Sequence, residues 1–345
     1  MKLFSGGQAD FFGLDIGSGG IRVVQLKTAK TGQNLLHYGE VAHNLVLDDA
    51  GAGQAALVQA INQLVKQVGL PTKNVVANLP SKKAFTTIID LPSLPRPELA
   101  KAITAQAPSL IPTPLDQSKI DWAVIGPAPR DTAQNEVLLS SVPKDFVEAR
   151  LAMLESAGFN VLAFEPDAMA LARALAPVTS SEPYLLLDIG HQTSDLVITV
   201  AGAPRLARSL PIATDQIIKA AMQNLNVEQA QAEQFVFKFG LSKDKLEGQI
   251  QAAILPTIDS LTVELDKSMK FFAERYNGAK ISKLVVTGGA ATLPELPLYL
   301  ANKFNLSVEI GNAWRNVITG SANQDELLAV SNHFAVAVGL AERRV

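Results

Sequence analysis

Cysteine is absent from the 345 residues. Disulfides, thiolate zinc sites, iron–sulfur clusters and cysteine nucleophiles are therefore excluded together, and nothing demands an oxidising compartment. Charge of one sign is lacking too. The chain has 30 Lys+Arg against 33 Asp+Glu, a net charge of −3, which argues against affinity won by neutralising nucleic-acid phosphates. Long apolar runs are missing. The longest uncharged stretches, Ala50–Val65 and Leu327–Ala341, are broken by Gly, Gln, Asn, Ser and His. They fall short of the roughly 18–20 apolar residues a membrane span needs. Met1–Gly7 has no sustained apolar core, so no signal peptide is expected and the chain is expected to stay cytoplasmic. Aromatics are scarce at 6%, beside 48% apolar and 18% charged residues, an ordinary soluble α/β composition. At about 100–200 residues per domain the length suggests two or so domains.

The pattern of what is present is a repeat. Phe11–Ile16 and Ile21–Leu26 flank a glycine-rich turn and predict a hairpin, with Leu35–Leu47 as a third strand. Leu57, Ile61, Leu64, Val65 and Val68 fall at helical spacing, and Gly69-Leu70-Pro71 stops that helix. Val75–Leu79 reads as a short buried strand. Residues from about 83 to 160 differ in character. Here strand-like runs (Phe85–Leu91, Ile120–Ile125, Glu136–Val142) alternate with a helix between proline clusters and a second helix, Asp145–Ala157. This is the pattern of an α+β insert. After a short helix, Asp167–Leu175, the tetrapeptide Leu14-Asp15-Ile16-Gly17 returns as Leu187-Asp188-Ile189-Gly190, again opening strand, turn and strand. The shared context predicts an internal duplication. Residues 214–277 read as helical with breaks near Gly240 and Pro256, Leu284–Gly289 as a strand and glycine turn, and Gln324–Arg344 as one helix.

Three turns carry chemistry. In the first, Gly17, Gly19 and Gly20 allow backbone N–H groups to face an anion, with Ser18 and Arg22 as further donors. In the second, Gly190 and Thr193 repeat the donor set. Two such turns facing across a cleft can grip one polyphosphate. Asp15 and Asp188 would then lie near phosphates, a repulsion of about 4 kcal/mol at 4 Å and an effective dielectric near 20, tolerable with Mg²⁺ between them. The alternative for both aspartates is a turn-capping role. The third turn, Thr287-Gly288-Gly289-Ala290, offers side-chain-free backbone to a flat base. His191 reads either as a γ-phosphate contact or as a solvated turn residue. His37, His43 and His333 show no metal-ligand spacing.

Two Asp-Ile-Gly hairpins and a Thr-Gly-Gly turn, in this order, resemble the actin and sugar-kinase superfamily. The insert lies between the first sheet and the helix before the second hairpin, as in FtsA and PilM. Ile88–Ser93, Ile111–Leu115, Leu154–Phe159, Glu165–Ala174 and Glu264–Phe272 are similar to the PilM family, the actin-like proteins of type IV pilus assembly. The resemblance implies a duplicated actin-like ATPase (ribonuclease H-like) α/β fold, two lobes around a nucleotide cleft. Subdomain 1A would hold residues 1–82, 161–182 and 330–345, the 1C-type insert 83–160, subdomain 2A 183–213 and 280–329, and subdomain 2B 214–279.

The same resemblance implies ATP and Mg²⁺ as cofactors, with hydrolysis slow at most. Asp15 and Asp188 would be metal-side carboxylates acting through water. Gly17, Ser18, Gly19, Gly20 and Arg22 would hold the β-phosphate, and Gly190, His191 and Thr193 the β/γ end. Gly288, Gly289 and Ala290 would bracket the adenosine, Glu233 reach the ribose, Lys267 meet the adenine and Glu165 orient water. The implied partner is the N-terminal cytoplasmic peptide of a PilN-like inner-membrane protein, in a groove walled by Phe85–Leu91 and Val75–Leu79. Other assembly-platform proteins and self-association come with the family, and membrane contact comes through partners only. Two other readings are an FtsA-like division protein, whose terminal amphipathic helix has no room before Val345, and a sugar-kinase-type phosphotransferase.

Overall fold

A computed structural model describes residues 10–344 except 30, 31, 44, 46–52 and 321. The reading of Met1–Gly7 and the far end of the expected third strand lie outside the described residues. Strands β1 (Phe12–Ile16), β2 (Gly20–Ala29) and β3 (Gly32–Ala42) form an antiparallel meander. Helix α1 (Gln54–Val68) buries Leu57, Ile61, Leu64 and Val65 against it. It ends as the sequence requires: Gly69 takes φ 73° and the N–H of Leu70 returns to the Val65 carbonyl. Strand β4 (Asn74–Leu79) then lies parallel to β1.

The insert holds β5 (Phe85–Pro92), α2 (Arg96–Leu110), β6 (Ser118–Pro127) and β7 (Gln134–Pro143). Its own sheet, ordered β5-β7-β6, packs on α2 through Leu91, Leu99, Ile103 and Leu139. Helix α3 (Lys144–Ser156) follows, but its buried Met153 and Leu154 join the core of the first lobe with Phe12 and Phe159. Strand β8 (Asn160–Pro166) returns to the first sheet beside β4 and leads into α4 (Asp167–Leu175).

The second lobe repeats the plan. Strands β9 (Tyr184–Ile189), β10 (Ser194–Val200) and β11 (Ala203–Leu210) form a meander. Helices α5 (Thr214–Leu225), α6 (Gln229–Phe239) and α7 (Gln249–Arg275) cover it. Then β12 (Lys283–Thr287), α8 (Leu296–Phe304) and β13 (Ser307–Ile310) complete a five-stranded sheet ordered β11-β10-β9-β12-β13. The chain crosses back through β14 (Val317–Ile318), which pairs with β3, then α9 (Gln324–Val330) and α10 (Ala335–Ala341). The first sheet is thus six-stranded, β14-β3-β2-β1-β4-β8. Helices α4 and α10 pack together between the sheets, touching Val24 and Val76 of one and Leu186 and Val197 of the other.

Two expectations fail for physical reasons. Pro256 does not break α7, which runs through it. The lost hydrogen bond and ring clash cost about 3 kcal/mol, offset by the buried row Ile250, Ile254, Ile258, Leu261, Leu265 and Phe272. The final helix does break, between α9 and α10. There the Ser331 hydroxyl accepts from the Ala313 N–H at 2.8 Å, and the Asn332 amide donates to the Gly288 carbonyl at 2.7 Å. Buried polar side chains bound elsewhere compete with a continuous helix.

The insert also reaches the second lobe. Glu136 of β7, 1% exposed, meets Arg205 of β11 at 2.9 Å and Arg275 at the end of α7 at 3.2 Å. It accepts from the Tyr276 hydroxyl at 2.6 Å. Arg275 pairs in turn with Asp90 of β5 at 2.7 Å.

Candidate functional site

The two repeated hairpins close with the same bond. The Gly17 N–H donates to the Gly20 carbonyl at 3.0 Å, and the Gly190 N–H to the Thr193 carbonyl at 3.1 Å. The turns face and touch one another. The Gln192 N–H donates to the Ser18 hydroxyl at 3.3 Å, and a Cβ added at Gly19 would stand 2.9 Å from the Cβ of His191. Only glycine fits there. The second turn is fixed from below by α5, where the Thr214 hydroxyl donates to the Gly190 carbonyl at 2.7 Å. The third turn lies against the second hairpin. Gly288 has φ 86°, and a Cβ on it would collide with the Asp188 carboxylate and the Ile189 carbonyl. Its N–H donates to the Asn332 carbonyl at 2.8 Å.

Between these turns opens a cleft of about 950 Å³. Asp15, Gly17, Ser18, Gly19 and Arg22 line it from the first hairpin, and Asp188, Gly190, His191 and Thr193 from the second. Gly288, Gly289 and Glu233 line its other end. The remaining expected residues stand elsewhere. Gly20 opens β2 behind the turn it closes. Ala290 is wholly buried beneath the third turn. Lys267 points to solvent on α7, paired with Glu264 at 2.7 Å, and is not among the residues that line the cleft. Glu165 is likewise absent from the cleft wall. Both its oxygens are taken by Arg173, at 2.7 and 2.5 Å, and Arg343 stands 3.5 Å away. A carboxylate so clamped is a structural anchor between β8 and α4. The strand Val75–Leu79, expected to wall a peptide groove, is interior to the first sheet between β1 and β8 and offers no edge.

Four cleft residues escaped the sequence reading. The Asn78 side-chain amide donates to both Asp15 (3.1 Å) and Asp167 (2.9 Å), while its own oxygen accepts the Ile16 N–H at 2.8 Å. Asp167 thus occupies the cleft two residues beyond the misplaced Glu165. Arg150 of α3 is 9% exposed, stacks over Phe146 at 5.3 Å and leaves Nη1 without a partner. Asp195 sits opposite Asp188 in the β9–β10 register, where Arg22 sits opposite Asp15 in β1–β2. Its Oδ1 accepts no hydrogen bond. The common offset of seven residues was a signal in the repeat itself.

The carboxylates feel this crowding. Burial pushes Asp188 up to about 7, with Asp195 and Asp15 adding to the rise and Arg22 opposing it. Burial also pushes Asp195 up to about 6, and Asp167 well above the usual carboxylate range. Asp15 is raised by burial but held back by Arg22, 3.4 Å away, and by Arg150. Among the described residues no three acidic or imidazole groups converge to form an all-protein metal site. A cation carried mainly by phosphate and water suits such a donor set.

Residues 13–345 match the family described as type IV pilus assembly protein PilM. The chain belongs to the PilM family. Its role is therefore in type IV pilus assembly, and the FtsA-like alternative is set aside. A solved PilM-PilN type IV pilus biogenesis complex is similar in fold, with a TM-score of 0.82 at 24% identity over 97% of this chain and 98% of that one. The ethanolamine utilization protein EutJ from Carboxydothermus hydrogenoformans matches with a TM-score of 0.58 at 14% identity, covering 96% and 88%. MreB 5 of Spiroplasma citri, bound to AMPPNP, matches with 0.55 at 13% identity, covering 95% and 94%. This PilM-family chain has the actin-like ATPase fold, α/β with mixed sheets. No described helix is long and apolar enough to cross a membrane.

Proposed function

We propose that the chain is a nucleotide-binding scaffold of the pilus assembly platform, loaded with MgATP in the cleft and docked on the cytoplasmic N-terminal peptide of a PilN-like membrane protein. The observation that carries the nucleotide half is the contact of the two Asp-Ile-Gly turns across one cleft. Ser18, Gly19, Arg22, Gly190 and Thr193 would hold phosphates, Gly288 and Gly289 the adenosine, and Glu233 the ribose. Asp15 and Asp188 would meet Mg²⁺ through water. The metal supplies positive charge between carboxylates and polyphosphate. The AMPPNP-bound relative of the same fold supports the reading.

The solved complex of a family member with PilN supports the partner half. The β5 segment Phe85–Leu91 stays a candidate wall for an extended peptide; it is an edge strand of the insert's sheet. Localisation at the inner membrane would follow from that partner. Since Glu165 is locked to Arg173, hydrolysis is expected to be slow at most.

Calorimetric titration of MgATP into the wild type and Asp188→Asn tests the cleft: equal heats would remove it. Anisotropy of a labelled PilN N-terminal peptide on the MgATP-loaded wild type tests the scaffold, and no binding would end that half.

A further inference from the structure

The nucleotide reading uses residues of the two hairpins and the glycine turn. It leaves Arg150 unexplained. Burying a guanidinium is costly unless its N–H groups find acceptors. Here one nitrogen, Nη1, finds none. The side chain lines the cleft. Asp15 and Asp167 act on its charge, yet neither accepts a bond from Nη1. Phe146, one turn earlier on α3, supports the guanidinium from beneath at 5.3 Å. The side chain is thus held in place with a charged donor unspent, beside the aspartate of the first phosphate turn rather than at the Glu233 end.

We propose that Arg150 is a polyphosphate ligand supplied by the insert, its free Nη1–H reserved for a phosphate oxygen of the bound nucleotide. This inference rests on the nucleotide reading above. A guanidinium donor to phosphate is among the stronger charge-assisted hydrogen bonds and suits the fork of arginine better than the point charge of lysine. The position gives the contact a second consequence. Helix α3 continues directly from β7, the central strand of the insert's sheet, while Met153 and Leu154 root it in the first lobe. An anion drawn to Arg150 therefore acts on a helix that runs from the insert to the cleft. Occupancy of the cleft would be registered by the helix that leaves β7, the strand paired with the peptide-binding candidate β5.

The experiment measures equilibrium binding of MgATP and of adenosine to the wild type, Arg150→Met and Arg150→Lys. Amide hydrogen exchange of α3 and β7 is followed with and without MgATP. Arg150→Met is expected to weaken MgATP at least about tenfold and leave adenosine binding unchanged. It should also erase the MgATP-induced protection of α3. Arg150→Lys should fall between the two, and it carries the test if the Met variant fails to fold. MgATP binding by both variants within about twofold of wild type, in a wild type that binds MgATP, overturns the inference and leaves the cleft reading standing. Equal loss of MgATP and adenosine also overturns it, since that marks general damage. A wild type that binds adenosine and MgATP equally well, or neither, overturns both.

Discussion

The two hairpins share a tetrapeptide and a closing hydrogen bond, but they differ in one cross-strand partner. Opposite Asp15 stands Arg22; opposite Asp188 stands Asp195. The first carboxylate has a guanidinium at 3.4 Å and an amide at 3.1 Å. Burial pushes the second up to about 7, and the like charge it faces adds to the rise. A duplicated backbone therefore carries two unlike electrostatic sites. The first is partly offset within the protein, where Arg22 and Arg150 oppose the effect of burial. The second is left short of positive charge, and an external cation can supply it. Under the proposed function, the second hairpin would gain more than the first from a bound cation.

The largest effect should come from unbalancing the first site. Asp15→Ala takes one acceptor from Asn78 and one of two carboxylates from Arg22, which keeps Glu40 at 3.3 Å, and it removes negative charge near Arg150. It is expected to cost about 2–4 kcal/mol in urea unfolding at neutral pH. No loss would break the claim that the first hairpin is internally compensated.

The opposite sign is expected at the second. A carboxylate raised to about 7 in the folded state and near 3.8 when unfolded keeps its proton longer in the native protein. Its contribution is present at low pH and is lost as pH rises from about 4 through about 7. Asp188→Asn should therefore stabilise the metal-free protein by about 1–2 kcal/mol at pH 8 and flatten the fall in melting temperature across that window. A variant less stable than wild type at pH 8 would show that Asp188 is already balanced. The smallest effect belongs to the contact between the hairpins. Ser18→Ala removes the acceptor of the Gln192 N–H and should cost about 0.5–1 kcal/mol in thermal unfolding, with the hydrogen-bonded turns of each hairpin intact.

Much of this was readable in the chain. The repeated Leu-Asp-Ile-Gly located both hairpins, and the proline-flanked segment marked the insert, because turn chemistry and periodicity are local. What escaped was settled over long distances. Asn78 joins Asp15 to Asp167 across 63 and 89 residues, and nothing in a buried strand sequence announces an amide with two carboxylates. Glu165 and Asp167 are two apart, yet Arg173 holds the first while Asn78 holds the second, a division that the chain alone does not show. Lys267 stands outside the cleft lining, paired with Glu264, because helical spacing alone does not say which face meets a cleft. Helix α3 followed the insert's pattern in sequence but the first lobe's in packing. The β11, β13 and β14 strands were missed because their pairing, not their composition, makes them strands.

The Glu136 cluster gives the insert a further mechanical role. Though the insert is threaded through the first lobe, its buried carboxylate is held by cations rooted in the second. Separating the lobes would strand that carboxylate, a penalty of about 3–5 kcal/mol for such a group. The insert is therefore a tie-bar between the lobes: any movement that parted them would have to break this joint, which stands outside the cleft lining.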